Sequence, residues 1–357
     1  MRPAPQPTLI PAEFCAECVL RDGCAERDSV YARGRSASVG RTVDLRDPFT
    51  LDQWLSWADH AFEPVRAAPT ITLPRYFVTA PRGVPASAIR SLTSEVIGFT
   101  LGDFGVHARA AERGRRAFHA HVGTDHRRVI VLGADPDRAG IRAWQRWPRA
   151  RGLIERHRPD LVVGSDLSFY ENDEPATRMT TFFAHTRMYA DLVNRGIAAM
   201  PPFGWVFPSD IDRFVAWVAD ARVPGAFLDL QNRTGDASFG EVLRDLRGFR
   251  GRLPADFTWI VKGVQVVARW RALTEVLGTV TFTSSGPWEE ARNRKVFEPY
   301  TLMPYATTDE PEVAFAESVH AFEITAAALG ARPRLRALPQ QLTMRLPAEP
   351  RRKPARS

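Results

Sequence analysis

The sequence is poor in cysteine and equally poor in lysine. Its three cysteines, Cys15, Cys18 and Cys24, all fall within the stretch FCAECVLRDGC. An odd, clustered set of thiols argues against a disulfide framework. Lysine occurs only at Lys262, Lys295 and Lys353, although lysine and arginine together number 48. The basic side of the chain is therefore almost all arginine. No apolar run reaches the ~18 residues that a membrane span needs, so no membrane partner is expected. The start, MRPAPQPTLIPAEF, lacks the charged-then-apolar pattern of a secretory signal, and a cytoplasmic location is expected. GxGxxG, HExxH and a Ser–His–Asp ordering are absent, which removes the recognisable dinucleotide, zinc-protease and triad signatures. The histidines are scattered, and the HAH at His119–His121 is expected on a solvated surface.

What is present is a globular composition. The chain has 357 residues, 44% hydrophobic and 25% charged, enough for one large domain with appendages. Its net charge of +7 favours polyanions, and arginine's planar fork suits phosphate. Nucleic acid or a nucleotide is accordingly a candidate partner. The oligomeric state is not legible.

Three regions differ in texture. Residues 1–70 read as an appendage with the cysteine cluster and one helix, in which Trp54, Trp57, Ala58 and Phe62 recur at helical spacing. Residues 71–305 alternate short β-branched runs with longer amphipathic ones. Residues 306–357 read as a C-terminal helix and a disordered basic tail ending PRRKPARS. In the first region Cys15 and Cys18 stand two residues apart, and Cys24 follows. Three thiolates can surround one metal, giving a zinc or iron–sulfur site with a fourth ligand from elsewhere, such as His60. The alternative is three plain thiols in a short subdomain.

The middle region supplies eight strand–helix units. Among the strands are TITLPRYFVTA, EVIGFTLGDF, RRVIVLGADPD, DLVVGSDLSFY, GIAAMPPFGW, PGAFLDLQN, DFTWIVKGV and TVTFTSSG. Near-continuous apolar strands alternating with helices imply a parallel sheet covered on both faces. Eight such units predict an α/β fold, a (β/α)8 TIM-like barrel carrying the cysteine appendage at its N-terminal side. A doubly wound open parallel sheet is the alternative.

In a barrel the chemistry belongs at the C-terminal ends of the strands. Those positions deliver Asp135 and Asp137 after the third strand, then Asp166, Ser168 and Tyr170 after the fourth. Trp205 follows the fifth, Asp229 the sixth and Lys262 the seventh, and Ser284 and Ser285 follow the eighth. Carboxylates crowded on one semi-buried rim raise one another's pKa or recruit a cation. Asp135, Asp166, Asp229, Lys262 and Tyr170 are therefore the candidate catalytic residues, for acid/base work or around a divalent metal on the rim. A desolvated Lys262 can also act as a nucleophilic amine. Gly263, Ser284, Ser285 and Gly286 precede helix starts and are the candidate phosphate-binding set. The alternative for the aspartates and serines is helix capping and turn formation.

The run VIVLGADPDRAGIRAW, with RPDLVVGSDLSFYENDEPATRM and LVNRGIAAMPPFGW after it, resembles an uncharacterised family of phage and mobile-element proteins. The residues carrying it are Asp135, Asp137, Asp166, Ser168, Tyr170, Pro175 and Trp205, and the likeness extends toward IVKGV. The resemblance implies a barrel-like α/β fold and association with mobile DNA, and no particular reaction. Two functions are thus expected. One is an enzyme, a hydrolase or lyase, working through rim carboxylates on a phosphate-bearing substrate. The other is a non-catalytic nucleic-acid-binding or assembly protein of a mobile element.

Overall fold

The computed structural model describes residues 72–111, 114–135, 146–167, 175–205, 208–231, 235–249 and 251–330. The cysteines and the expected N-terminal helix, together with Asp137, Ser168, Tyr170 and the basic tail, lie outside the described residues.

Eight parallel strands follow in chain order: β1 (Tyr76–Thr79), β2 (Val96–Thr100), β3 (Arg128–Gly133), β4 (Leu161–Ser165), β5 (Ala199–Met200), β6 (Gly225–Asp229), β7 (Thr258–Lys262) and β8 (Thr279–Ser284). Each pairs with its sequence neighbour, and β1 pairs in parallel with β8. The ring closes between β5 and β6. There the Phe227 N–H donates to the Pro201 carbonyl at 2.9 Å, and the Phe203 N–H donates to the Phe227 carbonyl at 2.8 Å. The fold is a (β/α)8 barrel, and this closure rules out the open doubly wound sheet. Strand β5 is short for a local reason. Pro201 and Pro202 carry no N–H, so the ladder ends where they begin.

The helices are α1 (Ala86–Ser91), α2 (Leu101–Ala110), α3 (Arg115–Val122), α4 (Trp147–His157), α5 (Pro175–Asn194), α6 (Pro208–Ala221), α7 (Asp236–Leu246), α8 (Val267–Leu277), α9 (Gly286–Arg292) and α10 (Pro311–Gly330). Three departures from the sequence reading have physical causes. In EVIGFTLGDF the strand stops at Thr100, whose hydroxyl accepts the Asp103 N–H and caps α2, so LGDF is helical. The eighth strand is followed by α9 and by a hairpin of β9 (Lys295–Phe297) and β10 (Pro304–Ala306), where one helix was expected. Helix α10 then packs against α1, α8 and β1, which makes it part of the ring, beyond the barrel boundary drawn at residue 305. Its apolar face, with Phe315 and Phe322 fully buried, requires that seat.

The core has two shells. Within the strand ring lie Phe77, Val96, Ile130, Leu132, Leu161, Val163, Met200, Phe227 and Ile260. Between strands and helices lies a larger aromatic-rich shell, in which Trp270 stacks on Phe282 at 4.4 Å and Phe257 meets Trp259 edge-on at 5.2 Å. Successive strand residues point to opposite faces, so the two shells alternate along each strand. That alternation fixes what faces the mouth of the barrel.

Candidate active site

At the C-terminal end of the strands the inward positions change character. Along β1 the order is Phe77 then Thr79, along β4 Val163 then Ser165, along β6 Phe227 then Asp229, and along β7 Ile260 then Lys262. On β8, Thr283 occupies the equivalent place, and its hydroxyl lies 2.7 Å from that of Thr79. An apolar lumen thus ends in a polar layer made by five strands. All of these except Asp229 are buried. Burying so many polar groups costs stability unless they are paired.

Lys262 is the centre of this layer. Its side chain is 6% exposed and its Nζ lies 3.4 Å from Asp229 Oδ2, whose side chain is 18% exposed. The same ammonium donates to the Ala134 carbonyl at 3.2 Å. Asp229 Oδ1 in turn accepts the Gln231 N–H at 2.9 Å. Register explains the meeting: Asp229 and Lys262 are direct partners on adjacent parallel strands, and each stands two residues beyond a lumen residue. Gly263 turns the chain away immediately after the lysine with φ of +88°, and a Cβ there would come within 2.3 Å of the Gln231 backbone nitrogen. Only glycine fits that turn.

Asp135 follows the Ala134 carbonyl that Lys262 holds. Its Oδ2 accepts the Gly102 N–H at 2.8 Å. A Cβ on Gly102 would sit 2.7 Å from Asp135 Oδ1, so glycine is what allows the carboxylate to approach the start of α2. Burial holds the Asp135 carboxyl above its ordinary pKa. Hydrogen bonds from the Thr100 hydroxyl and Gly102 N–H and the charge of Lys262 work against that rise, while Asp103 adds to it. Asp135 is thus a carboxyl biased toward keeping its proton, close enough to Lys262 to feel its charge.

A cleft of about 240 Å³ opens beside Lys262, lined by Gln231, Gly263, Gln265, Ser284, Ser285 and Glu289. It is small by the standard of ligand pockets, which run from ~300 Å³ upward. The residues expected to cradle phosphate are here, but the Gly286 N–H and the Ser285 hydroxyl are engaged within the turn. The Gly286 N–H donates to Ser284 Oγ at 3.0 Å, Gln265 Nε2 donates to the same oxygen at 2.8 Å, and Ser285 Oγ is 2.6 Å from Glu289 Oε1.

The remaining expected residues have these places. Asp166 lies just past β4, partly buried, and its N–H donates to the Gly133 carbonyl at 2.9 Å. It follows the inward Ser165, whose hydroxyl is buried with no hydrogen-bond partner among the described residues. Trp205 stacks on Phe203 and donates its ring N–H to Asp245 Oδ2 at 3.0 Å, a packing role. Among the described residues no group of three or more His, Cys, Asp or Glu side chains is placed to hold a metal ion. His119 is buried and bonded to the Thr124 hydroxyl at 2.9 Å, contrary to the solvated position expected for it. His185, on α5, is a buried residue beside the end of β4 that the sequence did not single out. Its Nε2 accepts the Leu167 N–H at 3.0 Å, which anchors the segment leaving β4. Burial lowers its pKa to about 3, so the ring is neutral.

No family model matches the chain, and no curated protein is significantly similar to it. Among the described residues no helix is long and apolar enough to cross a membrane.

Proposed function

We propose that the polar mouth of the barrel is an active site for acid/base chemistry, of the lyase or hydrolase kind, on a small polar substrate. The observation that carries the reading is the buried Lys262, paired with Asp229 above an apolar lumen and lining a cleft. A lysine so placed adds nothing to packing that a methionine would not, and burying its charge is costly. In this reading Asp135 donates a proton to the reacting group, and the Lys262–Asp229 pair takes one up. Gln231, Gln265 and Ser284 orient the uncharged part of the substrate. The net charge of +7 favours an anionic group on that substrate. A phosphate would rest on Lys262, because the Gly286 N–H and the Ser285 hydroxyl of the β8 turn are already engaged.

The alternative of a nucleic-acid scaffold draws on arginine, and among the described residues a basic cluster with Arg115, Arg116, Arg127 and Arg128 lies at the opposite end of the barrel. There Arg115 donates to the Arg158 carbonyl at 2.7 Å, and Arg127 Nε donates to the Ser94 carbonyl at 2.9 Å. Arg128 likewise binds the Thr72 carbonyl. These guanidinium groups hold the barrel's own loops, which favours the enzyme over the scaffold. The test is turnover of a panel of small phosphorylated, hydroxylated and carbonyl compounds. Asp135→Asn and Lys262→Met are expected to lose activity by a factor on the order of 10² or more, and Lys295→Met to keep it. Equal activity in all three, or tight salt-sensitive binding of DNA without turnover, would overturn the reading.

A further inference from the structure

We infer that Lys262 is a covalent nucleophile that forms a Schiff base with a carbonyl-bearing substrate in the cleft. The inference rests on the reading of the barrel mouth as an active site and deepens it by naming the substrate class. Three features support it. First, the amine is held loosely. Its contacts at 3.2 Å to Ala134 and 3.4 Å to Asp229 are both longer than the ~2.7–2.9 Å of a strong charge-assisted bond. A lysine kept only for an ion pair would settle closer. Second, the side chain is only 6% exposed and yet lines the cleft, so a small molecule can reach it. Third, Asp229 is paired with it directly, and Asp135 is near enough to feel its charge. Asp229 can receive the ammonium proton, and Asp135 can protonate the oxygen of the substrate carbonyl. The uncharged lining from Gln231, Gln265 and Ser284 suits hydroxyl or amide groups next to that carbonyl.

The step balances without any redox partner. The Lys262 nitrogen, having passed its extra proton to Asp229, attacks the carbonyl carbon, and a C–N bond forms. The oxygen takes a proton from Asp135 and then leaves as water as the C–O bond breaks and the C=N bond forms. Both hydrogens of that water come in sum from the ammonium group, relayed by the two aspartates, and its third hydrogen stays on the nitrogen, so the imine is protonated and each aspartate ends in its starting state. The protonated imine then withdraws electrons from the adjacent carbon, which allows a bond there to break or form.

The test uses the chain's scarcity of lysine. Pentane-2,4-dione condenses with a reactive amine to give an enaminone with its own ultraviolet band. Peptide mapping then assigns the label to Lys262, Lys295 or Lys353. In the folded full-length chain one equivalent of label is expected on Lys262 before Lys295 reacts, although Lys295 has a far more exposed side chain at 45%. Lys262→Arg, which keeps the charge but cannot form the adduct, should melt cooperatively and lose that band. Asp135→Asn should slow its appearance by a factor on the order of 10². Labelling of Lys295 or Lys353 ahead of Lys262 would overturn the inference. A protein that turns over a substrate through Asp135 yet leaves Lys262 unlabelled would lose the Schiff base and retain the acid/base reading.

Discussion

Cutting the Lys262–Asp229 pair from either side should give unequal costs, and the inequality follows from the surroundings of each partner. Asp229→Asn leaves an ammonium group 6% exposed without its paired carboxylate, with the Ala134 carbonyl and a neutral amide oxygen as acceptors. Removing one partner of a buried pair costs ~3–5 kcal/mol when the survivor stays charged and unpaired. Because Asp229 is itself 18% exposed and the contact is 3.4 Å, the bottom of that range applies, about 3 kcal/mol. Lys262→Met instead removes the expensive buried charge and fills the space with an apolar chain. The surviving carboxylate keeps the Gln231 N–H and some water, so the cost should be about 1 kcal/mol or less. The double variant should resemble Lys262→Met. Urea unfolding at pH 7, followed by tryptophan fluorescence and far-ultraviolet dichroism, measures all three. If Lys262→Met proves as costly as Asp229→Asn, the lysine is a structural tie, and the reasoning that gives it chemistry fails.

Other expectations follow from neighbouring groups. Asp135 carries a raised pKa in the folded chain, so the native state holds more protons than the unfolded one above the ordinary carboxylate pKa of 3.8. Its contribution to stability is therefore full below that value and is lost as pH rises through the folded pKa. Asp135→Asn should flatten that part of the stability–pH curve; an unchanged curve would contradict the burial argument. His185 works in the opposite direction. With a folded pKa of about 3 against an ordinary 6.5, it costs stability as pH falls through that window, because the unfolded state binds the proton first. His185→Gln, which can still accept the Leu167 N–H, should move acid unfolding to lower pH. An unshifted acid midpoint would show that the ring is not the group that fails. Gly263→Ala should destabilise strongly and abolish turnover, since the new methyl meets the Gln231 backbone at a positive φ; wild-type stability would contradict the described turn.

The barrel was legible in the sequence because parallel strands covered on both faces cannot hide their apolar character. Runs such as TWIVK and RVIVLG announce themselves by composition alone. What escaped was set by single residues acting locally. Thr100 turned an apolar run from strand to helix, and the pair Pro201–Pro202 cut β5 to two residues. The hairpin of β9 and β10 has three-residue strands, too short for any period to show. At the site, Asp135, Asp229 and Lys262 were legible because charged residues at strand ends interrupt apolar runs. The supporting Thr79, Ser165 and Thr283 were missed, since Ser and Thr are unremarkable in strands. A signal was available: on several strands the inward, every-second position changes from apolar to polar at the last residue. Seeing it requires knowing which face is inward, and that comes from ring closure, a contact between residues far apart in the chain. His185 carried no such signal, because its partner is a backbone N–H on another element.

The central claim is that the acidic and basic groups of separate strands meet at one mouth, and the titration of Asp135 tests it most directly. Carbon-13 NMR of the labelled aspartate carboxyl should place its midpoint above 3.8 in the intact chain. Lys262→Met should push that midpoint higher still, because the lysine charge that favours the carboxylate is gone. A midpoint at the ordinary value, or one indifferent to the loss of Lys262, would mean that the two residues do not share a site.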